Sequence, residues 1–264
     1  MAFFGKEFIF DGVPSSKYNL YINSPNGGDF EILPASSDVE IFTQRVYRRP
    51  RVYYYGTSQS PVLEFDLEVT SPEEITSVMS QSIQSWLFGK QEYAKLQIIQ
   101  NDMQTIYFNC FLTSPQVIKS GRMIHGFSSK VICDSPFAWE FPKTFTRTYS
   151  DPIVSEIYSF YNYSDDSEYM YPNMIITMNA TGGDISIINS NDNSREFLIE
   201  ELSPNEVITI NNELGIMTSS TGLRRLSNFN KKWMRFVKGV NTLSIAGNIG
   251  SIAVTYQLAR KVGT

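Results

Sequence analysis

Val39-Glu40-Ile41-Phe42-Thr43-Gln44-Arg45-Val46-Tyr47-Arg48-Arg49-Pro50-Arg51-Val52-Tyr53-Tyr54-Tyr55-Gly56 is the stretch on which the fold turns. Residues 39–45 read as a strand. Residues 47–56 then carry too many large side chains for a tight turn, since a two-residue hairpin needs only something like Asn-Gly. After them Leu63, Phe65, Leu67 and Val69 alternate with Glu64, Asp66 and Glu68, which predicts a strand with one apolar and one acidic face. A basic, tyrosine-rich arm held out by two strands reads as a contact surface, and the chain as a building block rather than a catalyst.

Working outward, Ser71-Pro72-Glu73-Glu74 predicts a helix start. Ser71 caps it, Pro72 suits the first helical position, and Glu74 completes a capping box at the positive end of the dipole. Ile75, Val78, Met79, Ile83, Trp86 and Leu87 recur at helical spacing, and Gly89 supplies the stop. On this reading the Met and Trp residues are core, not a cofactor box. Strand signals lie at 7–10 and 18–22, around the turn Asp11-Gly12-Val13-Pro14, and Ser24-Pro25-Asn26-Gly27-Gly28-Asp29 is a loop. Further strands are expected at 95–100, 105–112 and 125–133.

Residues 133–151 read as loop, with Pro136, Pro142 and Asp151-Pro152, and divide the chain into domains 1–142 and 143–264. The second domain shows no amphipathic helix. Its short strands are expected at 174–178, 184–188, 195–199, 207–210, 214–217, 233–237, 242–246 and 252–258, with Lys238-Gly239-Val240-Asn241 as a turn. Short strands this closely spaced point to a β-sandwich or jelly roll.

The 264 residues are 42% hydrophobic, enough for real cores, and carry 22 basic against 27 acidic residues. Residues 1–142 hold 11 basic and 15 acidic residues (net -4), and residues 143–264 hold 11 and 12 (net -1). Neither part has the basic footprint of a dedicated nucleic-acid binder. The opening Met1-Ala2-Phe3-Phe4-Gly5-Lys6 does not read as a secretory leader, and no apolar run is long enough to span a membrane. Cys110 and Cys133 fall in strand-like runs and read as two buried thiols made in a reducing cytosol; a disulfide between neighbouring strands is the alternative.

Few residues have the makings of catalytic or metal chemistry. His125 is the only histidine, so His-rich metal sites are excluded and His-dependent triads are a poor fit. Cys133 is eight residues on, but a nucleophile needs spatial approach and a tuned thiolate. No phosphate loop, zinc spacing or nucleophile elbow occurs. Asp165, Asp166 and Glu168 have the hard oxygens calcium takes, against the plainer reading of a solvated loop. Glu64, Asp66 and Glu68 are normally the solvated side of a strand. In the arm, Arg45, Arg48, Arg49 and Arg51 lie close to Tyr47, Tyr53, Tyr54 and Tyr55. That composition suits a nucleic-acid strand or a protein hot spot, with an ordinary exposed hairpin as the bland alternative. The acidic balance favours protein.

In order along the chain, Phe8-Ile9-Phe10-Asp11-Gly12-Val13-Pro14-Ser15-Ser16-Lys17-Tyr18, the arm ending Tyr53-Tyr54-Tyr55-Gly56, the strand at 63–69, Ile83-Gln84-Ser85-Trp86-Leu87, Ile106-Tyr107-Phe108 and Trp233-Met234-Arg235-Phe236-Val237-Lys238-Gly239-Val240-Asn241-Thr242-Leu243 resemble the distal tail proteins of long-tailed, non-contractile bacteriophages. The resemblance implies a mainly β fold, with an N-terminal tail-tube-like β-sandwich bearing one α-helix and a C-terminal galectin-like or jelly-roll β-sandwich. It implies a homo-hexameric ring at the virion's tail tip, made in the host cytoplasm, with a lumen through which DNA passes. The tail tube protein lies above, the tail-tip, baseplate or tail-associated lysin protein below, and the tape measure protein is a further partner. No cofactor, metal, catalytic residue or membrane enters.

Carried onto this sequence, the subunit-interface arm is Tyr47, Arg48, Arg49, Arg51, Tyr53, Tyr54 and Tyr55, and in a ring Glu64, Asp66 and Glu68 are candidates to face the lumen. The alternative function is host adhesion, with the C-terminal sandwich binding cell-wall sugar, or contact with a receptor-binding protein. Tyr158, Tyr161, Tyr163, Tyr169 and Tyr171 form the one dense aromatic cluster of that domain, for which packing or a partner contact is the plainer reading. A cell-wall hydrolase is disfavoured by the lone histidine.

Overall fold

Alternation decides the first unit. Phe8 and Phe10, Leu96 and Ile98, and Phe108, Cys110 and Leu112 are each separated by one more polar or more exposed residue, and all seven are buried in one core. The computed structural model describes residues 7–23, 39–59, 62–101, 103–150 and 153–262, without the side chains of 39, 58, 59 and 153–155. The loop expected at 24–29 lies outside the described residues. The chain forms two units, one of residues up to Glu140 together with those from Arg260 onward, the other Phe141–Ala259.

In the first unit the strands are β1 (Glu7–Phe10), β2 (Val13–Pro14), β3 (Tyr21–Asn23), β4 (Val39–Arg45), β5 (Val52–Gln59), β6 (Glu64–Thr70), β7 (Ala94–Ile99), β8 (Ile106–Ser120), β9 (Met123–Cys133) and β10 (Ala138–Glu140), with α1 (Ser77–Phe88) between β6 and β7. The main sheet runs β2-β1-β7-β8-β9-β6-β3 with antiparallel neighbours, and β10 adds to β8. One face is covered by α1, whose buried residues are Ser80, Ile83, Trp86 and Leu87. Trp86 stacks on Phe8 and Tyr18, and its Nε1–H donates to the Phe10 carbonyl at 2.9 Å. Full burial of one such apolar side chain stabilises by about 1.5–3 kcal/mol, so this contact fixes the helix on the sheet.

Three expectations need correction here. The helix starts at Ser77, not at Ser71, and its cap is Thr76, whose hydroxyl accepts from the Met79 amide at 3.3 Å. The preceding residues are held by β9 instead: the Ser71 and Ile75 amides donate to the His125 and Ile124 carbonyls at 2.7 and 2.8 Å. Ser71 Oγ accepts from the Glu73 amide, a local turn that competes with a helical first turn. Starting later, the helix turns Val78 outward at 75% exposure, although its spacing had placed it on the core face. Upstream, Tyr18 closes a 3-10 turn (Ser15–Tyr18) rather than opening a strand.

The second unit contains β11 (Lys143–Thr148), β12 (Ile153–Asn162), β13 (Asn173–Met178), β14 (Gly183–Asn189), β15 (Arg195–Leu202), β16 (Val207–Asn211), β17 (Ile216–Ser219), β18 (Gly239–Gly247) and β19 (Ile249–Tyr256), and a short β20 (Ala259–Arg260) follows. They form a five-stranded sheet, β11-β19-β13-β16-β17, and a four-stranded sheet, β12-β18-β14-β15. Met174, Ile176, Ile208 and Val254 of the first share one core with Ile185, Ile187, Phe197 and Ile245 of the second, which makes a β-sandwich.

β11 and β12 were not expected: the stretch that reads as loop because of its prolines contains β11 between them. The strand expected at 233–237 does not form as one. Met234 and Phe236 are buried, but the Met234 and Val237 amides donate to the side-chain oxygens of Asn212 and Asn241 at 2.8 and 2.9 Å. Alternating burial therefore arises there without a ladder. Asn241 also donates to the Val237 and Gly239 carbonyls at 2.8 and 3.1 Å, and so holds the turn that the sequence indicated.

Past β20 the chain belongs to the first unit. Val262 joins that core, and Arg260 Nε donates to Glu140 Oε1 at 2.6 Å.

Candidate functional site

The arm is a hairpin in its own right. β4 pairs with β5, from Val39 opposite Gln59 to Arg45 opposite Val52, and the pair forms a two-stranded sheet apart from the main one. This corrects the expected frame: the strand at 63–69 is not the arm's second flank but pairs with β9 and β3 in the main sheet. The tyrosines form the returning strand instead of a loop. The pairing slips by one residue between Phe42–Gly56 and Thr43–Tyr54, a bulge that leaves Tyr55 without a partner residue. Gly56 has φ +140°, a backbone state that side-chain-bearing residues rarely adopt, so its need for glycine is conformational.

At the tip, the Arg49 amide donates to the Val46 carbonyl at 3.1 Å, and Arg48 takes a left-handed φ of 64°. The Arg48 guanidinium lies 5.3 Å from the Tyr47 ring centre, within cation–π range. Arg49 Nη1 donates to the Tyr53 hydroxyl at 3.1 Å, and the Tyr55 hydroxyl donates to Gln44 Oε1 at 3.0 Å. By strand alternation Ile41, Thr43, Val52 and Tyr54 share one face, and Phe42, Gln44, Tyr53 and Tyr55 share the other. All of these are exposed, Tyr47 at 84%. A two-stranded hairpin is marginally stable by itself, and an exposed patch of large apolar side chains marks an interaction site. All seven residues picked from the sequence as the arm lie on this ribbon or its tip.

The three acidic residues lie elsewhere, on the main sheet's second face. Asp66 stands opposite Lys130, Glu64 forms an ion pair with Lys130, and Glu68 stands opposite Ser128. The Glu64 contact raises the Lys130 pKa above its usual value. Register carries the same face across to Asn109, Lys95 and Gln97. It is therefore a charged, solvated face with both signs, away from the core and from α1.

The other candidates do not assemble into a site. His125 and Cys133 sit on one strand, eight residues or about 27 Å apart at the usual strand rise. Cys110 and Cys133 stand directly opposite each other as buried free thiols. Burial pushes both pKa values up, that of Cys133 to about 12. Asp166 Oδ1 accepts from the Glu168 amide at 2.9 Å, and the Asp165 carbonyl accepts from Lys238, so both oxygens are engaged within the protein. Among the described residues no three His, Cys, Asp or Glu side chains are grouped to hold a metal, and no helix is long and apolar enough to cross a membrane. Of the tyrosine cluster, Tyr158 packs against the sandwich core, Tyr161 and Tyr163 are exposed with ring centres 4.4 Å apart, and Tyr169 lies 3.6 Å under the Arg235 guanidinium.

A family model described as a phage tail protein N-terminal domain matches residues 3–135, and one described as a phage tail C-terminal domain matches residues 137–256. The chain belongs to this phage tail protein family. Among solved structures, the Dit (gp 19.1) protein of bacteriophage SPP1, titled a paradigm of the hub adsorption apparatus in phages infecting Gram-positive bacteria, has the same fold. The TM-score is 0.68 at 11% sequence identity, over 96% of this chain and 98% of that one. No curated protein matches the sequence. In this tail protein, then, a mainly β architecture runs through both units, and the arm's large side chains stand exposed.

Proposed function

We propose that this phage tail protein is a structural hub at the distal end of the tail, a hexameric ring joined through the β4–β5 arm. The observation that carries this reading is the ribbon itself, which exposes tyrosine, arginine and aliphatic side chains on both faces. A neighbouring copy covering it would bury aromatic area and bring the arginines into charge-assisted contacts, the pattern of interface hot spots. The fold shared over nearly the whole chain with the SPP1 hub protein supports the same reading. In that ring the tube protein docks above and a tail-tip or lysin protein below, around the tape measure protein. The face bearing Glu64, Asp66 and Glu68 lines the lumen, where an excess of carboxylates keeps passing DNA from adhering.

Mass photometry of the full-length chain, alone and with the tube protein of its own phage, tests the proposal. Particles near six times 30.1 kDa, seen as rings with a central opening, are expected. Monomers at every concentration, with and without the tube protein, overturn it. The double variant Arg48→Glu, Tyr54→Ala is expected to lose the ring while both units stay folded. Intact rings from that variant remove the arm from the interface.

A further inference from the structure

The chain has two cysteines, and the fold sets them face to face. Cys110 of β8 stands directly opposite Cys133 of β9, both side chains enter one core, and both are free thiols. The backbone bonds around them define the kind of pair. The Asp134 amide donates to the Asn109 carbonyl at 2.9 Å, so the neighbouring pair is where β8 and β9 exchange hydrogen bonds. The Cys133 amide turns away from β8 and donates to the Leu63 carbonyl at 2.9 Å. Hydrogen-bonded and non-hydrogen-bonded pairs alternate along an antiparallel ladder, so Cys110 and Cys133 form a non-hydrogen-bonded pair.

Facing side chains stand closest in pairs of that kind. Their Cα atoms lie about 4.5 Å apart, inside the span of about 4.4–6.8 Å that a disulfide bridges. Their Cβ atoms, about 4.5–5.5 Å apart, need to come to about 3.5–4.5 Å, an approach of about 1 Å that leaves the pairing intact. Packing by itself is met at adjoining core positions by Ala94, opposite Cys110, and by Val131, two residues before Cys133. The place in the sheet matters as well. β8 and β9 form its central seam, joining β2-β1-β7-β8 to β9-β6-β3. Toward the turn their register shifts twice, between Thr113 and Gln116 and between Ile118 and Lys119, and the cysteines lie at the hairpin's other end. A covalent bond there holds the register of a hairpin that two bulges interrupt.

We propose that Cys110 and Cys133 are an oxidation site, free thiols while the tail protein is made in a reducing cell interior and a disulfide once the particle is outside it. The oxidant is a peroxide. One thiol takes an oxygen atom from hydrogen peroxide, becoming a sulfenic acid and releasing water. The facing thiol attacks that sulfur, the S–S bond forms, and a second water leaves. The two thiols lose two electrons and the peroxide gains them, so no further reactant is consumed. Thiols this buried admit only a small, uncharged oxidant, and burial, by keeping both protonated, makes the step slow. Slowness fits a single locking event better than a repeated switch. The inference rests on membership of the tail protein family and needs neither the arm nor the ring.

Peptide mapping tests it. The full-length protein, purified under reductant, is incubated folded with hydrogen peroxide, then unfolded in iodoacetamide without reductant and digested. The expected digest contains a peptide pair joined through Cys110 and Cys133, lighter by two hydrogen atoms than its separate parts, and dithiothreitol separates it. Particles of the protein's own phage, never exposed to reductant, should yield the same pair. Closing the loop between the cysteines should raise the thermal midpoint by about 5–10 °C. Cys110→Ala and Cys133→Ala, treated alike, should show no rise. Both cysteines alkylated in the peroxide-treated protein and in the particles overturn the proposal. So do sulfinic acids in place of the linked pair, disulfides that join different molecules, or a thermal rise equal in the parent and both variants.

Discussion

The Tyr55 hydroxyl donates to the Gln44 side-chain oxygen at 3.0 Å, tying the two strands of the arm together on the face that also carries Phe42 and Tyr53. Both partners are exposed and neither belongs to a core. Tyr55→Ala is therefore expected to weaken assembly by about 2 kcal/mol, roughly thirtyfold in subunit affinity, as truncation of a hot-spot residue does. The urea stability of the unassembled chain should move by less than about 0.5 kcal/mol. Sedimentation velocity and urea titration of the same preparation read the two quantities separately. Assembly as tight as the parent's would show that the Tyr55 face is not covered.

Arg225 and Glu206 form a buried ion pair in the second unit, the arginine donating through Nε and Nη2, with Ser219 and the Ser203 amide on the same carboxylate. Burial by itself pushes the Glu206 pKa up, but these hydrogen bonds, Arg225 first, outweigh it and hold the group at about 2. A folded value below the unfolded one of 4.5 means the contribution is complete above pH 4.5 and is lost as pH falls toward 2. Its size is about 3 kcal/mol at about 1.4 kcal/mol per pH unit. Arg225→Ala should cost about 3–5 kcal/mol at neutral pH by stranding the carboxylate. It should also flatten the acid loss of protection in β16 and β17, which hydrogen exchange followed by mass spectrometry measures. Identical acid profiles for parent and variant would contradict this.

Trp86 joins α1 to β1 through its bond to the Phe10 carbonyl. Trp86→Phe keeps most of the ring contact but leaves that carbonyl without its donor, a cost of about 1–3 kcal/mol. Trp86→Ala adds a cavity and should cost about 3–5 kcal/mol. Denaturant unfolding should rank the two in that order, and a Phe variant as unstable as the Ala variant would place the energy in the hydrogen bond.

Thr76, not Ser71, caps α1. Thr76→Ala is expected to cost about 1 kcal/mol, and Ser71→Ala less, because Ser71 Oγ holds only the turn before the helix. Thermal melts of the two variants compare them directly; a larger loss at Ser71 would restore the earlier helix start.

Cys110 and Cys133 are shielded thiols with raised pKa values, burial being the main cause. At pH 8 neither should react with Ellman's reagent in the native protein, and both should react once it is unfolded. Rapid labelling of the folded chain would reveal an opening between β8 and β9.

Much of the fold is written locally. Alternation at Leu67 and Val69 against Glu68, and at Ile185 and Ile187 against Ser186, marks strands wherever one face is buried. The arm's exposure was legible for the same reason from the other side: Tyr53, Tyr54 and Tyr55 in succession cannot all face one core. Their secondary structure was not legible, because a strand with both faces exposed shows no alternation. β11 was hidden by the neighbouring prolines, and its place beside β19 emerges only from the pairing of the two strands. The run at Met234 and Phe236 shows the converse, a local pattern satisfied by the side chains of Asn212 and of the adjoining Asn241 and by a single backbone bridge from Phe236 to Met170.

The sequence by itself determined that this is a two-part, mainly β chain with one sheet-covering helix and an exposed aromatic and basic arm, because side-chain alternation and capping act over a few residues. Only the tertiary structure decided which strand pairs with which. It put β5 rather than β6 beside β4, set Thr76 instead of Ser71 at the helix start, and returned residues 260–262 to the first unit. Those choices rest on hydrogen bonds and burial between residues far apart in the chain, and no local pattern encodes the partner at the other end.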